Sequence, residues 1–232
     1  DGTVTYNGMT YSGTKAVLVA TQKAALEQAG LTQEEIDKAV GSYEGDSLTL
    51  KTTKKVGNTE IQVETDKNGN IKYLDDKGNS YNTLREAQDA IVTAALIDNP
   101  SYKKADDNTK KEIEGQTYYA KFGFNPNIEF KAEANPQTNA TEAALEIQNA
   151  GSDALKEAIE KLTPDVSGQV TLDYKGVTFT GDKATLQEKV ESWASEETQG
   201  IDTTMANSIT TALTSQSVID AVATAVSQGI ST

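Results

Sequence analysis

Apolar and polar residues alternate along three neighbouring segments, SLTLKT from Ser47, EIQVET from Glu60 and NIKYLD from Asn70. A period of two sends one set of side chains to a core and the other to water, which predicts strands with one solvated face. Val56-Gly57-Asn58, Lys67-Asn68-Gly69-Asn70 and Asp76-Lys77-Gly78-Asn79 supply turn residues, so Ser47 to Tyr81 reads as an antiparallel β-meander. The spacing then changes. Thr83 caps LREAQDAIVTAALI, whose Leu84, Ala87, Ile91, Ala94 and Ala95 form a helical stripe, and Asn99-Pro100 ends it.

Upstream, Thr3 to Tyr6 and Met9 to Tyr11 read as a hairpin around Asn7-Gly8, the pair best suited to a type I′ turn. A helix over Ala20 to Ala29 follows, closed by Gly30. Thr32 with Glu35 forms a capping box for a short helix reaching about Val40 and stopped by Gly41. The polar stretch Ser101 to Gly115 predicts a loop and a short helix around Lys110 to Glu114. Thr117 to Phe124 reads as a strand with Tyr118, Ala120, Phe122 and Phe124 on one face and Tyr119 and Lys121 on the other; Ile128 to Lys131 pairs with it or continues it.

In the last third, Asn139 or Thr141 starts a helix to Asn149. Ser152 caps another through Leu162, with Leu155, Ile159 and Leu162 on one side and Lys156 paired to Glu160. TLQEKVESWASEE, from Thr185, turns Leu186, Val190 and Trp193 inward. Thr203 to Val226 is helical in period through Met205, Ile209, Leu213, Ile219, Val222 and Val226, with a break at Ser215 or Ser217.

One building block recurs. YNGMTYSGTKAVL, Tyr6 to Leu18, matches YKGVTFTGDKATL, Tyr174 to Leu186, at seven of thirteen positions, and KGNSYNTL from Lys77 to Leu84 is a looser copy. Each reads as a hairpin feeding a helix, which predicts that Tyr11, Tyr81 and Phe179 lie buried beneath the helix that follows. The fold class is α+β: repeated hairpin-plus-helix units and a meander, in two subdomains. Residues 1–131 form the hairpin and meander domain, the apolar-poor run 132–141 with Pro136 is the linker or seam, and 142–232 form a helix-rich domain.

A net charge of −14 disfavours nucleic acid and anionic membrane surfaces, and no apolar run of about eighteen residues or signal-peptide pattern is present. With no His and no Cys, catalysis by triads, thiols or imidazole bases is excluded, which leaves carboxylates, Lys, Tyr and the single Arg85. Asp66, Asn68 and Asn70 have the one-three-five spacing of a calcium loop, but Ile71 and Lys77 stand where glycine and the bidentate glutamate are required, so a hairpin turn is the better reading. The adjacent acids Glu34-Glu35, Asp75-Asp76, Asp106-Asp107 and Glu196-Glu197 point apart on a helix or turn and read as solvated surface. Gly8, Gly13, Gly176 and Gly181 lack phosphate-loop order, and Asn139-Ala140-Thr141 is a formal glycosylation sequon. No catalytic, cofactor-binding or metal-binding residue is assigned.

GMTYSGTKA, Gly8 to Ala16, resembles a segment that recurs in the surface-exposed, hypervariable outer domains of bacterial flagellins. TDKNGN at Thr65 to Asn70 and GQTYYAKF at Gly115 to Phe122 are similar to turns and strands of the same domains. The filament-forming helices of a whole flagellin, with their Leu-Ser-Ser-Gly-Leu-Arg-like segment, have no counterpart in the chain. The resemblance therefore implies an extracellular outer segment projecting from the flagellum, monomeric in isolation. Its neighbouring filament subunits would be reached through those core helices, and its surface binders would be antibodies or phage. It implies no catalysis and no cofactor. The alternative is a binding or adhesion module of another bacterial surface or phage protein.

Overall fold

A computed structural model describes residues 3–6, 9–44 and 47–199, with the backbone alone for Tyr6, Tyr43, Glu44 and Ser47. The Asn7-Gly8 turn and the helical pattern from Thr203 to Val226 lie outside the described residues. The fold is α+β, with separate antiparallel sheets, and it divides into two compact units. Among the described residues the first unit runs to Ile128 and includes Val166–Gly168; the second runs from Glu129 to Asp165 and from Gln169 onward. The segment 132–141, read as a seam, contains most of a strand and the first two residues of a helix of the second unit.

In the first unit, β1 (Thr3–Tyr6) and β2 (Met9–Ser12) pair as a hairpin. Helix α1 (Thr14–Gln28) follows at once, with Gly13 as its N-cap at φ 59°, so it starts six residues before the expected Ala20. Its buried side chains are Ala16, Val19, Gln22 and Leu26. The missed residues, Thr14 to Val19, follow directly on the hairpin, and Val17 and Leu18 beside Ala16 and Val19 make a continuous apolar run with no helical period of its own.

Gln22 is fully buried, and its Nε2 donates to Leu48 O, Thr65 O and Asp66 O at 3.0, 3.2 and 2.9 Å, two hydrogens serving three carbonyls. It ties α1 to two strand ends. Gln22→Leu keeps the volume and removes the donors, and it is expected to lower unfolding free energy by about 2–3 kcal/mol in urea titration.

Helix α2 (Gln33–Asp37) carries the expected capping box of Thr32 and Glu35. It stops at Asp37, and Val40 opens strand β3 (Val40–Glu44) instead of closing the helix. Gly41 is not a helix stop. A Cβ there would lie 2.8 Å from Tyr11 Oη and 3.2 Å from Leu48 Cδ1, so any side chain at 41 would have to displace the Tyr11 hydroxyl that approaches it.

The meander forms as predicted, as β4 (Ser47–Val56), β5 (Thr59–Thr65), β6 (Ile71–Leu74) and β7 (Ser80–Tyr81); with β3 it makes a five-stranded sheet in simple sequence order. Leu48, Leu50, Ile61, Val63 and Tyr73 turn into the core.

Helix α3 (Leu84–Leu96) has a full capping box from Thr83 and Glu86. Its buried face is Ala87, Gln88, Ile91, Val92 and Leu96, whereas Ala94 and Ala95 are exposed, so the true stripe is rotated from the expected one. After α4 (Pro100–Lys104) comes α5 (Asp107–Phe122), which absorbs both the expected short helix and the expected strand Thr117 to Phe124. Tyr118 and Phe122 are four apart, so they share a face under either period; Asp106 accepting from Thr109 N and left-handed Gly123 at φ 77° mark the helix ends. Tyr118 packs against Phe122 and Phe124, each at 5.7 Å between ring centroids. The β4–β5 turn closes the end of α5: Asn58 N donates to Lys121 O (2.9 Å), Asn58 Nδ2 to Ala120 O (3.1 Å) and Thr59 Oγ1 to Lys121 O (3.1 Å).

The second unit has strand β8 (Lys131–Ala134), helices α6 (Ala140–Ala150) and α7 (Ser152–Glu160), strands β9 (Gln169–Tyr174) and β10 (Val177–Asp182), and a helix α8 over 186–199. The sheet order is β8-β10-β9, all antiparallel. The segment expected to pair with residues 117–124 thus ends in β8, whose partner is β10. Of the two expected starts, Asn139 caps α6 and Thr141 lies within it, whereas Gly151, at φ 82°, holds the cap position of α7 and Ser152 is its first helical residue. The ion pair formed on α7 is Glu157–Lys161 at 2.8 Å, one residue on from the expected Lys156–Glu160. Leu155, Ile159, Val170, Leu172, Val177, Phe179, Leu186, Val190 and Ala194 form the core.

Hairpins lead into helices three times, β1–β2 into α1, β6–β7 into α3 and β9–β10 into α8. Tyr11 and Phe179 are buried and Tyr81 is half-buried against the core. The two tight copies part at their second glycine. Gly13 caps α1 directly, but Gly181 stays in β10 and Asp182 forms a turn, accepting from Ala184 N at 2.8 Å, before α8 begins. Lys15-Ala16 is helix and Lys183-Ala184 is turn. The residue after the glycine decides this, since Asp182 offers its neighbours a carboxylate where Thr14 enters the helix.

Candidate functional site

The carboxylates are the groups on which chemistry would rest, and those that accept several hydrogen bonds hold turns. Asp66 Oδ1 accepts from Asn68 N (2.8 Å) and Asn70 N (2.9 Å), and Oδ2 from Asn70 Nδ2 (2.8 Å). Asp75 repeats the arrangement nine residues on, accepting from Lys77 N (2.9 Å), Asn79 N (2.8 Å), Asn79 Nδ2 (2.8 Å) and Tyr81 Oη (3.0 Å). Both turns add the same backbone bonds, Asp66 N to Asn70 O and Gly69 N to Asp66 O, Asp75 N to Asn79 O and Gly78 N to Asp75 O. Asp165 makes a related closure with Gln169, whose N donates to Asp165 Oδ1 at 3.0 Å while Asp165 N donates to Gln169 O. The signal in the sequence is the spacing Asp-x-x-Gly-(Asn/Gln), three times over.

In the Asp66 turn the donors point at the oxygens a calcium ion would need, and Asn70 gives its amide N–H to the carboxylate instead of its oxygen to a metal. Among the described residues no group of three or more acidic side chains is placed to hold a metal ion.

These bonds stabilise the charged form. The Asn79 amide, joined by the backbone donors and Tyr81, holds the Asp75 carboxyl down to about 2, below its ordinary 3.8. For Asp66 burial pushes upward, but the Asn70 and Asn68 donors outweigh it and the carboxyl stays below the usual range. A depressed carboxyl adds stability that is complete above its unfolded value and is lost as pH falls through the folded one. The stability difference between the wild type and Asp75→Asn is therefore expected to hold above about pH 4 and to shrink as pH falls from there to about 2, read as melting temperature against pH.

The adjacent acids separate as the sequence predicts. Glu34 pairs with Lys38 at 2.7 Å, while Glu35 closes the α2 capping box and accepts from Lys55 N at 2.5 Å. Asp106 is the N-cap of α5, and Glu196 accepts from Ser192 Oγ at 3.1 Å. Arg85 Nε donates to Asp89 Oδ1 at 3.0 Å, and its guanidinium carbon lies 4.7 Å from the Tyr118 ring centroid. Tyr118 donates its hydroxyl to the same Asp89 oxygen; burial first, then that bond, pushes the phenol well up, so it stays neutral and is no base.

Recesses of modest size mark the surface among the described residues. A shallow depression of about 340 Å3 on the outward face of the five-stranded sheet is lined by Lys38, Val40, Lys51, Thr53, Gln62 and Glu64, and Lys51 and Glu64 pair across it at 2.7 Å. A groove of about 260 Å3 in the second unit lies over Ile147, Leu155 and Ala194, with Gln148 and Glu191 at its rim. The third, about 240 Å3, is lined by Asp75, Lys77, Ile91 and Lys121. These three sit near or below the lower end of the roughly 300–1,000 Å3 usual for ligand sites, and among the described residues none of the three sets two unengaged carboxylates face to face.

Comparison with family models, characterised proteins and solved structures finds no match for this chain. Among the described residues no helix is long and apolar enough to cross a membrane.

Proposed function

We propose that this chain is a structural, surface-exposed outer domain of a bacterial flagellar filament protein, extracellular and without catalysis. The observation that supports it best is the use of the acidic side chains: Asp66, Asp75, Asp106 and Glu35 all close turns or helix ends, as befits a scaffold that presents its surface. Of the segments that carry the resemblance, Gly8 to Ala16 supplies β2 and the start of α1, and Thr65 to Asn70 is a hairpin turn, both in keeping with it. Gly115 to Phe122 is helical in this chain and lends no support. In this role the domain faces antibodies and phage, and its neighbours in the filament are reached through helices beyond this sequence.

Antibodies raised against the purified chain should decorate flagellar filaments along their length in immunogold microscopy. Label confined to the cell interior, or to a non-filament surface structure, would overturn the proposal. The adhesion reading draws on one feature, the polar depression around Lys51, Gln62 and Glu64. Reproducible, specific binding to a glycan or host-matrix array, lost on Gln62→Ala, would favour it over display alone.

A further inference from the structure

Asn68 precedes Gly69, the residue with no side chain to hinder attack of its own backbone nitrogen on the preceding amide. We propose that Asn68 is a site of spontaneous deamidation, gated by the opening of its own turn. The Gly69 nitrogen attacks Asn68 Cγ, the new N–C bond closes a succinimide, the Cγ–Nδ2 bond breaks, and ammonia leaves with the proton that Gly69 N gave up. Water then opens the ring to aspartate or isoaspartate. Only water enters, and nothing is oxidised or reduced.

The closed turn opposes each part of that path. Gly69 N, the nucleophile, donates to Asp66 O at 3.0 Å and must break that bond to attack. Asn68 N is held on Asp66 Oδ1 at 2.8 Å, and Gly69 sits at φ 82°. Asp66 stays ionised beside a nitrogen that must lose a proton, which disfavours the extra negative charge. Asn68 itself is exposed and Gly69 half-buried, so solvent has access once the turn opens. In the sister turn Lys77 occupies the place of Asn68, so the same fold holds no reactive amide there. Isoaspartate lengthens the backbone inside a turn whose closure depends on Asp66 reaching Asn70, and the modified turn does not close again in the same form. The reaction converts one exposed hairpin tip into a second chemical form, independently of what the domain binds or assembles with.

The test follows Asn68 by peptide mapping after cleavage at Lys67 and Lys72, with the purified chain held at mildly alkaline pH either folded or in concentrated urea. Conversion in urea is expected to exceed the folded rate by about tenfold or more, since only the opened turn reacts. Asp66→Ala should raise the folded rate by about threefold or more, and Asn70→Ala, which removes only the amide bond to Asp66 Oδ2, should raise it less. Folded and unfolded rates within about twofold, or a folded rate unchanged in both variants, would overturn the proposal.

Discussion

Phe179→Ala is expected to cost the second unit about 3–5 kcal/mol, the range for deleting a buried aromatic ring. Phe179 is fully buried on β10, stacked on Phe130 at 6.2 Å and edge-on to Trp193 at 5.1 Å. Ala144 of α6, Leu155 of α7 and Val190 of α8 belong to the same buried core. Truncation therefore removes the shared contact of a sheet and the helices on it, and the close-packed walls cannot collapse onto the void. Trp193 is the only tryptophan, so its fluorescence in a urea titration reads this core directly. Phe179→Leu, which keeps most of the volume, should cost about 1.5 kcal/mol or less. A loss under about 1 kcal/mol for the alanine variant would mean that Phe179 is not the centre of the core.

The comparable change in the first unit is Gly57→Ala. An added methyl would lie 2.3 Å from the Phe122 carbonyl carbon, 2.5 Å from its oxygen and 2.7 Å from its Cα, all backbone atoms with no freedom to turn aside. Gly57 also has φ 57°, which a side chain resists. The turn would have to lift away, taking with it the Asn58 and Thr59 bonds that satisfy Ala120 O and Lys121 O. Loss of these bonds together with the clash is expected to cost about 3 kcal/mol or more. Gly78→Ala is the control: φ there is 81° but nothing lies within 4 Å, so the change should cost only about 1–2 kcal/mol of backbone strain. The difference between the two variants in denaturant unfolding isolates the contact with α5.

Where local chemistry decides the outcome, the sequence predicts it closely. The alternation in β4, β5 and β6, the capping box at Thr32, the cap at Thr83, Asn139 as one of the two expected starts of α6, and the three turn glycines of the meander are all realised in place. The misreadings lie where tertiary contacts override the local pattern. Gln22 belongs to the buried stripe of α1 because its amide meets carbonyls from β4 and the β5–β6 turn, partners that no window of α1 can reveal. Tyr118 and Phe122 suit a strand as well as a helix, and the choice rests on Asp106 and Gly123 at the two ends of α5. Val40 and Gly41 read as a helix end until Val40 is paired with Lys51 and the Tyr11 hydroxyl is placed beside Gly41.

The candidate site divides in the same way. That the adjacent acids point apart, and that the Asp66 loop is a turn, can be read from spacing alone. Asp75 and Asp165 do the same work at the same spacing, and only the shared backbone bond from the residue four places on shows that the three turns are one motif.

Those turns also separate what must be kept from what is free to change. The aspartate, the glycine and the last residue carry the closing bonds, whereas Lys67 and Asn68, and likewise Asp76 and Lys77, face solvent within them. Two letters of each five-letter word can be rewritten while its spelling at the ends preserves the register of the strands. A population of such chains could drift at its hairpin tips, and so alter what an antibody meets, while every strand beneath stayed where it was.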